Sequence, residues 1–154
     1  TGHQSGNLLV TGKDMFRLQL KGMAIYCDGT NFWQWNQEQN QVLLKLLEDM
    51  ESNMHPSEIL FKYLQCKPIS MKQDKIGKKS ANVITLDASK YGKDFAEMEV
   101  WLSTKDASPM RLVSIDRLGN ASNYEISNLK KLDKVNQNDF VLKPAKGVDV
   151  IDMR

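Results

Sequence analysis

Long apolar runs are missing from this chain of 154 residues. No stretch approaches the ~20 residues a membrane-crossing helix needs, so none is expected. Histidine is scarce: His3 lies near the start and His55 in a polar stretch, and there are no others. Paired metal-binding histidines usually share one element, as in HExxH, so no resident metal is expected. Cys27 and Cys66 are the only cysteines, too few for a disulfide framework. A single bridge in an oxidising compartment and two small buried residues both remain open. Charge of one sign is lacking too, since 21 Lys and Arg face 19 Asp and Glu for a net +2. That balance, evenly spread, argues against a nucleic-acid partner. The densest basic stretch, Lys72 to Lys79, includes Asp74 and Gly77 and reads as a solvated hairpin end.

Catalytic signatures are absent as well. There is no GxSxG elbow, no P-loop and no GxGxxG. Glu97 and Glu99 fall on one strand face, and their alternation with Met98, Val100 and Leu102 makes that face a wet exterior rather than an acid–base pair. Neither an enzymatic activity nor a cofactor is expected. The chain opens at Thr1-Gly2 without an initiator Met, so a processed or trimmed N-terminus is expected, its missing part carrying an export signal.

What is present is globular composition, 41% apolar and 26% charged, enough for one domain over residues 1–154. Short strands with turn signals dominate. Gly6 to Thr11 comes first, and Met15 to Leu20 then alternates, with Phe16, Leu18 and Leu20 inward and Arg17, Gln19 and Lys21 outward. Met23–Cys27, Thr30–Asn36 and Gln41–Leu47 continue a meander, with Asp28-Gly29 suited to a tight turn of positive φ. Pro56-Ser57-Glu58 then opens a short helix whose apolar face is Ile59, Leu60, Tyr63 and Leu64. Strands resume at Ile69–Asp74, Ala81–Leu86, Glu97–Ser103, Arg111–Arg117 and Ser122–Leu132, followed by Phe140–Leu142 and Val148–Ile151. The fold class is mainly β with a helical lid: about ten strands, and a helix able to lie across the apolar face of a curved sheet.

The apolar side chains carry the most information. Three Trp and eight Met fit an ordinary core, and they equally fit an adaptable apolar concavity that holds a ligand.

Several segments resemble one family. Ser5-Gly6-Asn7-Leu8-Leu9-Val10 with Met15-Phe16-Arg17-Leu18 is similar to the G-x-L-x-V-x-x-x-x-x-F-R-W opening of LolA-type carriers. Asp28-Gly29-Thr30-Asn31-Phe32-Trp33-Gln34-Trp35-Asn36 resembles their DGKTLWxYxP hairpin, and Pro56-Ser57-Glu58-Ile59-Leu60-Phe61 falls where the family places its central helix. Asp116-Arg117-Leu118-Gly119-Asn120 resembles D-x-x-G-x-x-T-x-Y, and Phe140 to Asp152 resembles FxFxPPxGVDVID. The matches run in the family's order from Ser5 to Arg154, and the Val148–Arg154 ending resembles the version found in Bacteroidetes.

The resemblance implies an incomplete antiparallel β-barrel of about ten strands, its concave side plugged by helices, working in the periplasm. A half-barrel with charged outer faces offers no dimer patch, so a monomer is expected. The cavity under those helices takes the acyl chains of lipoproteins. Cargo comes from an inner-membrane ABC transporter of the Lol type and goes to an outer-membrane acceptor or directly to the membrane. An outer-membrane lipoprotein acceptor and a lipid-sensing envelope-stress regulator on the same fold are the alternatives. Alternation within that frame places Phe16, Leu18, Ile25, Phe32, Met98, Val100, Val113, Ile115, Tyr124 and Ile126 on the lining, with Ile59, Leu60, Tyr63 and Leu64 covering it. Three departures stand out. The family's N-terminal helix and strand precede the point where this chain begins. Gly12, flanked by Thr11 and Lys13, stands where better-studied members carry a lid-latching Arg, so no such latch is expected. Cys27 replaces a residue that is often Ser.

Overall fold

The computed structural model describes residues 3–12, 14–49, 66–91 and 95–154. The chain divides into two compact units, Thr1–Ser57 with Leu132–Arg154, and Glu58–Lys131. The helix expected from Pro56 lies outside the described residues. Helical structure among the described residues is confined to short 3-10 turns at Leu47–Asp49, Ser89–Tyr91 and Gln137–Phe140.

The first unit is a six-stranded sheet. Its strands are β1 (Gly6–Thr11), β2 (Met15–Leu20), β3 (Met23–Asp28), β4 (Asn31–Asn36), β5 (Gln41–Leu46) and β11 (Asp149–Asp152), in the order β1-β2-β3-β4-β5-β11. Every pairing is antiparallel except β5 with β11, which is parallel. The meander follows from its turns. Gly29 takes φ +93°, a value L side chains rarely adopt. Asp28 holds that turn by accepting from the backbone N–H of Thr30 at 2.9 Å and of Asn31 at 2.7 Å. Burial pushes the Asp28 carboxyl up, but the hydrogen bonds from Asn31 and Thr30 more than offset it, so its pKa lies below the ordinary value.

The register fixes which side chains share a face. Phe16, Cys27 and Phe32 stand opposite one another across β2, β3 and β4, and Leu18 stands opposite Ile25. The other face carries Tyr26, Trp33, Trp35, Val42 and Leu44. That second face was expected to be wet. Instead Val141, Leu142 and Val148 pack against Trp33, Val42 and Leu44, and Arg17 Nη1 donates to the Asp139 carbonyl at 3.4 Å. The sheet is therefore apolar on both sides, and its outward side is covered by the chain's own C-terminal stretch.

That stretch departs from expectation. Phe140–Leu142 is no strand. Gln137–Phe140 is a 3-10 turn closed by a capping box, in which the Asn136 side chain accepts from the Asn138 N–H and Asp139 reaches back to the Asn136 N–H. Phe140, at its end, is completely buried.

The second unit is a five-stranded antiparallel sheet. Its strands are β6 (Lys67–Ile76), β7 (Lys79–Asp87), β8 (Phe95–Ser103), β9 (Pro109–Asp116) and β10 (Ala121–Glu125), in the order β10-β9-β8-β7-β6. Lys72 to Lys79 forms a hairpin end, with Gly77 at φ +60°. The strand expected over Ser122–Leu132 stops at Glu125, and residues 126–136 belong to no strand or helix. Neither sheet closes on itself among the described residues, because each order ends in two different edge strands.

Candidate functional site

The expected lining residues fall on sheet faces that bury aliphatic and aromatic side chains. In the first unit, Phe16, Ile25, Cys27 and Phe32 form a buried cluster, with Val10, Leu18, Met23 and Leu47 half-buried around it. The Phe16 and Phe32 ring centroids are 6.5 Å apart with the planes tilted by 55°, within the range in which tilted aromatic pairs attract. A shallow open depression of about 340 Å³ adjoins this cluster at Leu47 and is bounded also by Gly29, Thr30, Leu46 and Glu48.

Burial pushes the Cys27 thiol up to about 11; the Gly29 backbone hydrogen bond opposes this, while the carboxylates of Asp28 and Asp14 add to it. A thiol so shifted is a small apolar filler at neutral pH.

In the second unit, Ile84, Val100, Leu112 and Tyr124 form one row across four strands. Leu86, Met98 and Ser114 form the next row on the same face. Cys66, Leu86, Ala88, Met98, Val100 and Leu112 are buried there, with Ile84, Phe95, Leu102 and Ile126 packed around them. Tyr124 stays 36% exposed at the β10 edge.

Of the expected lining residues, the first sheet brings Phe16, Leu18, Ile25 and Phe32 onto one face. The second brings Met98, Val100, Tyr124 and Ile126 onto one face. Val113 and Ile115 point to the opposite face, where they stand beside Glu99 and Glu97. The alternation in β9 therefore runs one residue out of step with the expectation, and Leu112 and Ser114 take the places assigned to Val113 and Ile115. Ile59, Leu60, Tyr63 and Leu64 lie outside the described residues. Leu86, Leu112 and Val10 went unmarked in the sequence, although alternation within β7 and β1 singles out two of them.

The opposite face of the second sheet is of another kind. Trp101, Val83 and Ala81 are buried on it, and the Arg111 guanidinium lies 4.9 Å from the Trp101 ring centroid. Arg111 Nη2 pairs with Glu125 at 2.7 Å, Trp101 Nε1 donates to Glu99 at 3.3 Å, and Lys72 lies 4.0 Å from Glu99. These charged groups neutralise one another over an aromatic floor, an arrangement that holds a sheet surface together. Other carboxylates serve turns: Asp116 accepts from the Asn120 side chain and from the N–H groups of Leu118 and Asn120, which holds it below its ordinary pKa. Among the described residues no three His, Cys, Asp or Glu are grouped to hold a metal ion, and no helix is long and apolar enough to cross a membrane.

Residues 2–143 match the family described as Outer membrane lipoprotein carrier protein LolA, and the chain belongs to that family. Its proteins are periplasmic carriers rather than enzymes. No curated protein matches the sequence. Among solved structures, an uncharacterized conserved protein from Thermus thermophilus is similar over 97% of this chain and 82% of its own, with a TM-score of 0.65 at 14% identity. At that identity the likeness speaks for the fold alone.

Proposed function

We propose that this chain is a periplasmic carrier that takes up the acyl chains of lipoproteins and moves them from the inner to the outer membrane. In this reading an inner-membrane ABC transporter of the Lol type loads it, and an outer-membrane acceptor or the membrane itself receives the cargo. An incomplete barrel with a helical cover is part of the same proposal. The observation that carries it is family membership over residues 2–143, joined to a sheet face on which Phe16, Leu18, Ile25 and Phe32 come together.

The physics favours a two-tier site. Burying a CH₂ group gains ~0.8 kcal/mol, so a full acyl chain gains on the order of 10 kcal/mol before ordering costs. A carrier that captured all of this could not release its cargo. Phe16 and Phe32, at 1% and 2% exposure, are already desolvated and gain little more from a ligand, so they serve as floor. Leu18, Val10 and Met23 are half-buried and make the adjustable contacts. In the second unit Met98 and Val100 are floor of the same kind, and Ile126 and Tyr124 are the accessible contacts.

The test is capture of a fluorescent fatty acid by wild type and Leu18→Glu, with thermal melting alongside. Leu18→Glu is expected to keep the fold and to weaken capture by roughly tenfold or more, since a carboxylate facing the acyl chain must be desolvated or protonated. Unchanged capture in a folded Leu18→Glu protein rejects this face as the acyl site.

A further inference from the structure

We propose that the tip of the β6–β7 hairpin, in the Glu58–Lys131 unit, is a contact point for an anionic lipid bilayer. The register places this tip. Ala81 is the last β7 residue to pair with β8, opposite Ser103, whereas β6 and β7 go on pairing through Lys75 with Ser80 and Ile76 with Lys79. The hairpin thus runs past the end of β8 and closes at Gly77, with φ +60°, and Lys78. The turn after β8 lies at the same end: the Thr104 N–H donates to the Ser80 carbonyl at 3.2 Å, and Lys105 follows it.

Four lysines gather there. Lys75, Lys78, Lys79 and Lys105 are all exposed, and none takes part in an ion pair among the described residues. Lys72, further down the hairpin, is set apart because it already lies 4.0 Å from Glu99. Two carboxylates stand among the four, and both are engaged with backbone. Asp74 accepts from the Lys75 N–H at 2.8 Å, and Asp106 accepts from the Ser108 N–H at 3.1 Å. The ammonium groups outnumber them, so this end of the sheet is positive.

Shape and composition select the occupant. A stable protein–protein interface takes about 20–30 residues a side and is depleted in Lys. The end from Lys75 to Ser80 is short and narrow, with three Lys and neither Arg nor aromatic. A bilayer surface needs no matched shape. Its phosphates are many and mobile, and each lysine brought near them gains on its own account. Clusters of about four Lys or Arg mark the lower limit for recognising anionic lipid. Ile76 is half-buried against Ala81, Val83 and Trp101, so the sheet holds it and the hydrocarbon does not. The turn backbone needs hydrogen-bond partners, which the wet headgroup region supplies. The contact is therefore electrostatic, shallow and sensitive to salt. The inference stands apart from the carrier reading, since it concerns adsorption of the cargo-free chain.

The experiment is co-sedimentation of the whole cargo-free chain with vesicles of equal parts phosphatidylglycerol and phosphatidylethanolamine, and with vesicles of phosphatidylcholine alone. Wild type is expected to bind the anionic vesicles, less so as salt rises, and to bind the neutral ones far more weakly. Replacing Lys75, Lys78 and Lys79 together by Gln is expected to weaken anionic binding by roughly a hundredfold, with melting unchanged because all three are exposed. Replacement of the same three by Arg is expected to retain it. Lys105→Gln alone is expected to weaken it by roughly fivefold. Lys67→Gln with Lys90→Gln controls for net charge. These two lysines stand near Asp87 at the far end of β6, ~30 Å from the tip at ~3.3 Å per residue. A screened charge does not act over that distance, and a loss of roughly twofold or less is expected. Equal binding of wild type to both vesicle types overturns the proposal, as does undiminished anionic binding by the triple Gln variant or an equal loss in the control. A triple Gln variant that keeps vesicle binding but loses binding to immobilised polyglutamate assigns the tip to an acidic protein, and overturns it too.

Discussion

Phe16 and Phe32 flank Cys27 across three neighbouring strands, and their ring centroids stand 6.5 Å apart. The thiol is buried completely and its pKa is raised from 9.0 to about 11. Protons bind it more tightly in the folded state, so the stabilisation is fully present below the unfolded pKa of 9.0 and is lost as pH rises toward about 11. Titrating the folded protein with a maleimide at neutral pH should leave Cys27 unmodified. Cys27→Ala should show a shallower fall in melting temperature than wild type between those two values. An equally steep fall in both proteins counts against the assignment.

Removal of a floor residue should act on stability before it acts on binding. Phe16→Ala leaves a cavity beneath half-buried Val10 and Leu18 and is expected to cost about 3–5 kcal/mol. Urea denaturation measures this directly. A loss under about 1 kcal/mol would mean that the site collapses readily and that Phe16 is no structural floor.

The Asp28 turn predicts an effect on the acid side. Its carboxyl pKa is lowered, so its contribution is present above the ordinary carboxylate pKa and is lost as pH falls through the folded value. Asp28→Ala is expected to cost about 1 kcal/mol at neutral pH and to flatten the acid limb of the melting curve. Asp28→Asn should recover part of the loss by accepting the same N–H groups. If Asp28→Ala and wild type lose stability in parallel on acidification, the turn hydrogen bonds are not what the carboxylate supplies.

Much of this architecture was legible, and the exceptions have causes. β2 announced its face because Phe16 and Leu18 alternate with Arg17 and Gln19. The Asp28-Gly29 hairpin was equally plain. In β9 the run Leu112-Val113-Ser114-Ile115 is apolar at three of four positions, because both faces of that sheet bury side chains: Leu112 on one, Val113 beside Trp101's face on the other. Alternation loses its meaning where both faces of a strand bury apolar side chains, and only the register decides. Phe140-Val141-Leu142 looked like a strand on β propensity alone. The competing signal was Asn136 followed three residues on by Asp139, a cap that draws Phe140 into a 3-10 turn. The same stretch explains why the outward face of β2 is covered: nothing local to Arg17 indicates a partner 122 positions away.

The β6 edge bears devices that discourage pairing with another chain. Pro68 offers no N–H, the register slips between Pro68 and Ser70, and Lys72 and Lys75 are exposed along it. Exposed Ile69 and Met71, at 58% and 70%, would otherwise invite edge association. The protein is expected to be monomeric by light scattering, whereas Pro68→Val combined with Lys72→Val should associate with rising concentration. A double variant that stays monomeric at millimolar concentration removes this role from Pro68 and Lys72.

The parallel pairing of β11 with β5 has a consequence for how the chain acquires its fold. Asp149 lies opposite Gln41, 108 positions earlier, and the 74 residues from Glu58 to Lys131 form a unit of their own in between. Closing so wide a loop costs entropy in an open chain, and that cost falls as condensation of the intervening unit shortens the free chain. The inserted sheet, built of sequential hairpins, has low contact order and is the natural first product. The first meander can form early as well, but its β5 edge and its Trp33 face wait for the last residues to arrive. Until then the β5 edge is an open template for pairing with another strand.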